Sequence, residues 1–217
     1  MQNEFRARLK RGDTLLGTMV TLASASSAEV LAGIGFDWFF IDGEHGPLET
    51  RELLAILQAV SHRVACIVRV PAADEVAIKK VLDLGAHGII VPQVNTAEQA
   101  ADVVRFARYA PEGARGVGLA RAHGYGQRFK EYLDSANREI AVIVQAEHAT
   151  AVANIESIAR VPGVTILTAT NVEITSARTA MYHLDGEPYV GAASVKACVR
   201  PHALRVRVPH KEHKGRF

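Results

Sequence analysis

The sequence predicts an α/β fold on a parallel sheet, of the TIM-type (β/α)8 barrel kind. Three observations carry this. Short apolar runs alternate along the chain with helical patterns of about 10–15 residues, the signature of βαβ units. The runs are apolar almost without interruption, as strands covered on both faces must be. Polar residues recur just beyond the ends of the runs, where a barrel of this kind places its chemistry.

Thr14–Leu22 reads as the first strand and Ala28–Gly33 as a short helix. Asp37–Ile41 is the next strand, followed by a helix with Thr50 as N-cap and Leu53, Leu54, Leu57 and Val60 on one face. Ala65–Val70 is strand, and Asp74 caps a helix carrying Val76, Ala77, Val81 and Leu84 that Gly85 stops. Gly88–Val91 is strand, and Thr96-Ala97-Glu98-Gln99 is a capping box opening a helix with Ala100, Val103, Val104 and Ala107 inward. Ile140–Gln145 is strand, Val152, Ile155 and Ile158 mark a helix, and Val164–Ala169 is strand again. The glycine-rich Arg115–Ala120 is counted as a further strand.

An open doubly wound sheet fits the same alternation, and the exits separate the two. Asp42/Glu44/His45, Arg69, Pro92-Gln93, Arg115 and Gln145/Glu147 each follow a run. In a barrel all such exits converge on one mouth, whereas an open sheet gathers only those at its switch point. The barrel is the favoured reading.

The bulk properties narrow the function classes. The chain has 217 residues, 48% hydrophobic and 22% charged, with mean hydropathy +0.07. A net charge of +2 gives no basis for a nucleic-acid or acidic-membrane partner. Six of the 25 Lys/Arg and one of the 23 acids fall in 200–217, leaving a body of 19 against 22, net −3. Cys66 and Cys198 have no C-x-x-C spacing, which excludes a zinc ribbon and gives no sign of a disulfide framework. No basic leader and no apolar stretch approaching ~18 residues is found, so the expected location is cytoplasmic.

Ile41-Asp42-Gly43-Glu44-His45-Gly46-Pro47 stands out. A turn needs small or φ-permissive residues and has no use for a histidine between two carboxylates. A solvated acidic loop with an incidental His is the bland alternative to a catalytic loop. Beside it, Arg69 offers a guanidinium fork suited to a carboxylate or a developing enolate. Glu147 is placed to ligate a divalent metal. His45 has the side chain whose ordinary pKa suits a general base near neutrality. Arg115-Gly116-Val117-Gly118 lacks the third glycine of a nucleotide fingerprint, and mid-helix Lys79 and Lys80 read as surface charges.

At these residues the chain resembles the HpcH/HpaI aldolases, metal-dependent class II aldolases acting at pyruvate. The resemblance runs from about Phe5 to Val164. It rests on Ala32-Gly33-Ile34-Gly35-Phe36-Asp37-Trp38, the Ile41–Pro47 loop, Val68-Arg69-Val70-Pro71, Leu82-Asp83-Leu84-Gly85-Ala86, Ile90-Val91-Pro92, Arg115-Gly116-Val117-Gly118 and Val144-Gln145-Ala146-Glu147. It implies a barrel that cleaves a 4-hydroxy-2-oxo acid reversibly to pyruvate and an aldehyde through a pyruvate enolate. His45 is then the catalytic base, Asp83 the carboxylate that raises its basicity, and Arg69 the residue that binds pyruvate and steadies the enolate. Gln145 is a substrate contact and Glu147 a ligand of Mg²⁺ or Mn²⁺. A homo-oligomer, acting on small molecules, is implied as well.

Beyond Val164 the family's pattern is lost. Its Gly-Pro-x-Asp-Leu-Ser loop, which supplies a second metal carboxylate, falls without gaps on Thr170-Asn171-Val172-Glu173-Ile174-Thr175. Glu173 takes the ligand's place with one methylene more, which near-octahedral Mg²⁺ tolerates poorly. The expected organisation is a barrel body over 1–169 and a diverged, poorly packed segment over 170–217, with the closure of the barrel left open. His202, His210 and His213 lie in that segment. The alternatives are a catalytically impaired barrel that binds keto acids or a partner subunit, and a lyase acting on acyl-CoA thioesters.

Overall fold

The computed structural model describes residues 4–169 and four short strands beyond them. Six parallel strands lie side by side in chain order: β1 (Gly17–Val20), β2 (Trp38–Asp42), β3 (Ala65–Arg69), β4 (Gly88–Val91), β5 (Ala141–Ala146) and β6 (Ile166–Ala169). Each new strand adds to the same edge. A doubly wound sheet reverses its order at a switch point, so this succession is that of a TIM-type barrel. Further along, β7 (Ile174–Thr175) pairs antiparallel with β10 (Ser194–Val195), and β8 (Met181–Leu184) with β9 (Glu187–Val190).

The register sorts side chains to the two faces with period two. Trp38 lies beside Ala65, Phe40 beside Ile67 and Asp42 beside Arg69; Ile90 lies beside Ile143. The inward face packs Ala65, Ile67, Ile90, Ala141 and Ile143 with Trp38 and Phe40. The outward residues Phe39, Ile41, Cys66, Val68, Ile89, Val91, Val142 and Val144 belong to the core under the helices. All five residues of β3 are buried, which is why the run shows no polar alternation.

Helix α1 (Phe5–Arg11), which the periodicity did not reveal, closes the amino-terminal end of the strands. Phe5 meets the Trp38 ring at 5.6 Å between centroids. Buried Arg6 donates through Nη1 to the carbonyls of Asn137 (2.9 Å) and Arg138 (2.6 Å), in the last turn of α6 (Phe129–Glu139). Those carbonyls lack helical partners, and a cation is well received there.

The remaining helices follow the sequence with shifts at their ends. Helix α2 (Ala25–Ala32) begins before the expected Ala28, because the Ser24 hydroxyl accepts the Ser27 N–H at 3.1 Å. Helix α3 (Thr50–Val60) has Glu49 rather than Thr50 as N-cap, with no side-chain bond, and buries Leu53, Ile56, Leu57 and Val60. Asp74 caps α4 (Glu75–Asp83) as expected, accepting from Val76 and Ala77 at 2.8 and 3.0 Å. Val76, though, is exposed, and Ile78, Val81 and Leu82 form the buried face. On α5 (Ala97–Ala107) Thr96 accepts the Gln99 N–H at 3.2 Å, while the Gln99 side chain reaches back to the Asn95 N–H at 2.7 Å. The expected single helix after β5 is two, α7 (Ala149–Ala153) and α8 (Ile155–Ala159), parted at Asn154, whose amide donates to the Asn95 carbonyl at 2.9 Å.

Arg115–Ala120 is not a strand. After α5 the chain folds back on itself, with the Ala114 and Arg115 N–H groups donating to the Arg105 and Arg108 carbonyls, so the segment enters no ladder. Buried His123 then fastens the loop: Nδ1 accepts the Gly126 N–H at 3.0 Å and Nε2 lies 2.7 Å from the Gly118 carbonyl oxygen.

Candidate active site

The inward face ends at the mouth in a polar layer. Asp42, the last residue of β2, follows Phe40 on this face, and Arg69 stands opposite it on β3. Both are buried, and they join in a fork, Arg69 Nε to Oδ1 at 2.9 Å and Nη2 to Oδ2 at 2.7 Å. Arg69 Nη1 lies 3.1 Å from Glu44 Oε2, and its guanidinium sits 5.1 Å over the Phe40 ring. Burial alone would lower the Arg69 pKa; the bond to Asp42 and the charges of Asp42, Glu44 and Glu147 outweigh it and raise it. Burial likewise pushes the Asp42 carboxyl up, but bonds from Arg69 and from the His45 and Glu44 N–H groups hold it below its ordinary value.

The loop wraps this pair closely. Asp42 Oδ1 accepts the backbone N–H of Glu44 (3.1 Å) and of His45 (3.2 Å), and the Gly43 N–H donates to the Arg69 carbonyl at 3.0 Å. A Cβ on Gly43 would stand 2.7 Å from that carbonyl oxygen, and one on Gly46 would collide with the Asp42 carbonyl. The two glycines are there because backbone meets backbone. His45 projects outward, its side chain 61% exposed, with Nε2 3.7 Å from Glu44 Oε2.

Across the mouth, Gln145 and Glu147 leave β5. Gln145 Oε1 is buried and has no hydrogen-bond partner among the described residues. Glu147 Oε2 accepts from the backbone N–H of Gln93 at 3.3 Å and from its side-chain amide at 3.4 Å. His45, Arg69, Gln145 and Glu147 are thus all placed at strand exits. Glu173 lies outside the described residues, as do Cys198, His202, His210 and His213.

Asp83 and Arg115 are elsewhere. Asp83 ends α4, and the chain from there enters β4 at its amino end, opposite the mouth. It pairs with Arg115 (2.7 Å), and among the described residues no ion pair joins it to His45. Arg115 does not stand at a strand exit: its buried guanidinium lies 4.5 Å over Tyr109 and 3.3 Å from the Tyr132 hydroxyl. The strand expected over Arg115–Ala120, and the strand exit expected at Arg115, are both absent because the segment enters no ladder. Two features of the site had no counterpart among those expectations, the Asp42–Arg69 fork and the grip of Gln93 on Glu147. The first was visible as opposite charges at the ends of adjacent strands; only coordinates reveal the second.

No three His, Cys, Asp or Glu side chains gather as a ligand set among the described residues. The donors facing the mouth suit a hard divalent cation nonetheless: the Glu147 carboxylate and the Gln145 oxygen, unpartnered among the described residues, are the ligand type Mg²⁺ and Mn²⁺ take. Asp42 and Glu44 are engaged by Arg69. Two cavities of about 640 and 470 Å³ lie at the amino ends of the strands, lined by residues such as His62, His87 and Arg121 or Arg8 and Asp37. The convergent polar groups, not those hollows, mark the site.

Most of the chain is similar to known proteins. The family described as HpcH/HpaI aldolase/citrate lyase matches residues 16–171. A protein of Rhodococcus jostii (strain RHA1) named 4-hydroxy-2-oxovalerate aldolase is 50% identical over 164 residues, 75% of this chain and 63% of its own. One of Escherichia coli named 4-hydroxy-2-oxo-heptane-1,7-dioate aldolase is 44% identical over 167 residues, 76% of this chain and 63% of its own. The chain thus spans 63% of the length of both relatives. A crystal structure of an HpcH/HpaI aldolase/citrate lyase family protein from Burkholderia cenocepacia J2315 superposes with TM-score 0.73 at 39% identity, covering 77% of this chain and 68% of that one.

Proposed function

The chain belongs to the HpcH/HpaI aldolase/citrate lyase family, and from that premise we propose a divalent-metal-dependent aldolase, a carbon–carbon lyase that cleaves a 4-hydroxy-2-oxo acid to pyruvate and an aldehyde. The observation that carries the reading is the Asp42–Arg69 fork, which fixes a buried guanidinium in the mouth within electrostatic reach of Glu147.

A guanidinium has five N–H donors, so Asp42 and Glu44 do not exhaust it. Arg69 takes the keto acid's anionic oxygens and donates to the oxygen on which enolate charge grows. Held by its fork, it needs no reorganisation as that charge appears. His45, outward on the loop, removes the C4 hydroxyl proton directly or through one water. The C3–C4 bond then breaks, its electron pair passes into the enolate, the aldehyde leaves, and protonation at C3 gives pyruvate. Gln145 contacts the substrate. A cation held by Glu147, with Glu173 as the second carboxylate that the resemblance implies, would supply Lewis acidity toward the C2 carbonyl. Asp83 acts on a histidine's basicity in this reading only where a second copy brings it to the mouth, since within the chain it pairs with Arg115.

A small-molecule substrate, a homo-oligomer and a cytoplasmic setting belong to the same reading. Exposed Val117, Leu119 and Tyr125 on the loop after Arg115 support the assembly. Among the described residues no helix is long and apolar enough to cross a membrane.

Incubation with pyruvate in heavy water tests the proposal. Methyl protons exchange in the presence of Mg²⁺ or Mn²⁺, and a chelator stops it. No metal-dependent exchange would sink the aldolase reading; pyruvate binding without exchange would instead favour the impaired, keto-acid-binding barrel.

A further inference from the structure

Gln93, at the exit of β4, has φ 57°, left-handed backbone that non-glycine residues seldom adopt. Such conformations persist where the surroundings over-determine them. Here they do. Pro92 and Val94, on either side, are buried, and the Val94 N–H donates to the Gln145 carbonyl on β5 at 3.1 Å. One residue on, the Asn95 carbonyl is tied to the Asn154 amide at 2.9 Å. The loop is therefore stapled to β5 and to the break between α7 and α8. The left-handed turn aims the Gln93 N–H at Glu147 Oε2 (3.3 Å), and the side-chain amide adds a second donor to the same oxygen (3.4 Å).

We propose that Gln93 is a positioning residue for Glu147: its two N–H donors hold Oε2 and fix the carboxylate's rotation for ligation of a divalent cation in the mouth. The inference rests on the metal-dependent reading above and deepens it. A carboxylate free to rotate takes several poses, of which few suit near-octahedral coordination. Partners that orient a ligand from behind carry a substantial share of metal affinity. No bond is made or broken by Gln93, and it needs no contact with substrate.

The test is Mn²⁺ binding to the full chain, read as free Mn²⁺ by electron paramagnetic resonance, with pyruvate exchange measured separately. Gln93→Met keeps the stem and loses the amide; it should weaken Mn²⁺ about tenfold, the lower end of what such partners contribute. Gln93→Gly also loses the amide and keeps the main-chain N–H, so its Mn²⁺ loss should match that of Gln93→Met. The urea midpoint of metal-free Gln93→Met should match the wild type and that of Gln93→Gly should not fall below it, which separates positioning from folding. In a Glu147→Gln background, Gln93→Met should change nothing further. Unchanged Mn²⁺ affinity in Gln93→Met, or an equal loss with and without Glu147, overturns the proposal. A wild type that binds Mn²⁺ but exchanges no protons sinks the aldolase reading and leaves Gln93 standing. A wild type that binds no Mn²⁺ overturns both.

Discussion

Asp42 and Arg69 face each other from adjacent strands and close a two-bond fork in which both partners are buried. The pair is a joint of the fold as well as of the site, since the same carboxylate collects the Glu44 and His45 N–H groups. Asp42→Asn keeps the shape and removes the charge. Breaking one half of a buried pair leaves the other uncompensated, and the expected cost is about 3 kcal/mol by urea unfolding at neutral pH. Because the folded Asp42 carboxyl is held below its ordinary value, its contribution is complete above the unfolded pKa of ~3.9 and fades as pH falls through that range. The difference between wild type and variant should therefore narrow in acid.

His45 gives the opposite profile. Its side chain is exposed and supports nothing beneath it, so His45→Gln should leave stability within about 0.5 kcal/mol of wild type. Loss of a positioned general base should lower kcat by roughly 10²- to 10⁴-fold. Steady-state cleavage assays beside thermal unfolding check both halves, and near-wild-type turnover would remove His45 from the mechanism.

Gly46→Ala is expected to disable the site by a route that touches no charge. The added Cβ would collide with the Asp42 carbonyl and crowd the Thr21 carbonyl oxygen at 3.3 Å, both backbone atoms that cannot turn aside. The loop has to lift, carrying Glu44 and His45 with it. Exchange activity should fall at least tenfold, the scale on which small misplacements act on catalysis.

His87 sets a pH dependence away from the mouth. Burial, with the Arg121 charge adding to it, lowers its pKa to about 4, and its Nδ1 accepts the Cys66 N–H at 2.9 Å. A depressed folded value means the contribution is complete above the unfolded pKa of ~6.5 and is lost as pH falls toward 4. His87→Gln, which keeps an acceptor, should lack that loss, on the order of 2 kcal/mol over the window. Melting curves at pH 7, 5.5 and 4 decide it: parallel curves for the two proteins would refute the assignment.

The legible parts of the fold were those where one residue's chemistry decides locally. Asp74 and Thr96 cap the helices they were expected to cap, and the apolar runs are strands, because burial on both faces leaves no polar interruption. Arg115–Ala120 misled because Val117 and Leu119 between glycines look like strand, while the partner of Arg115, Asp83, lies 32 residues back. Helix α6 went unseen although Phe129, Tyr132, Leu133 and Ala136 have helical spacing, since its polar residues dilute the pattern. In the site, residue types announced His45, Arg69 and Glu147. The Gln93 grip was silent, being a matter of backbone dihedral, and Asp83 gained its proposed role from resemblance alone.

Helix α1 has a kinetic consequence. This helix rests its Arg6 on carbonyls 131 and 132 residues further along, and its Phe5 on an interior that β2 to β5 must first assemble. Contacts of such separation form late, because a long loop must close before they are rewarded. Helix α1 is therefore expected to dock after the strands it caps have assembled. Arg6→Ala should speed unfolding while leaving the folding rate nearly unchanged, and a slowed folding limb in its chevron would contradict this.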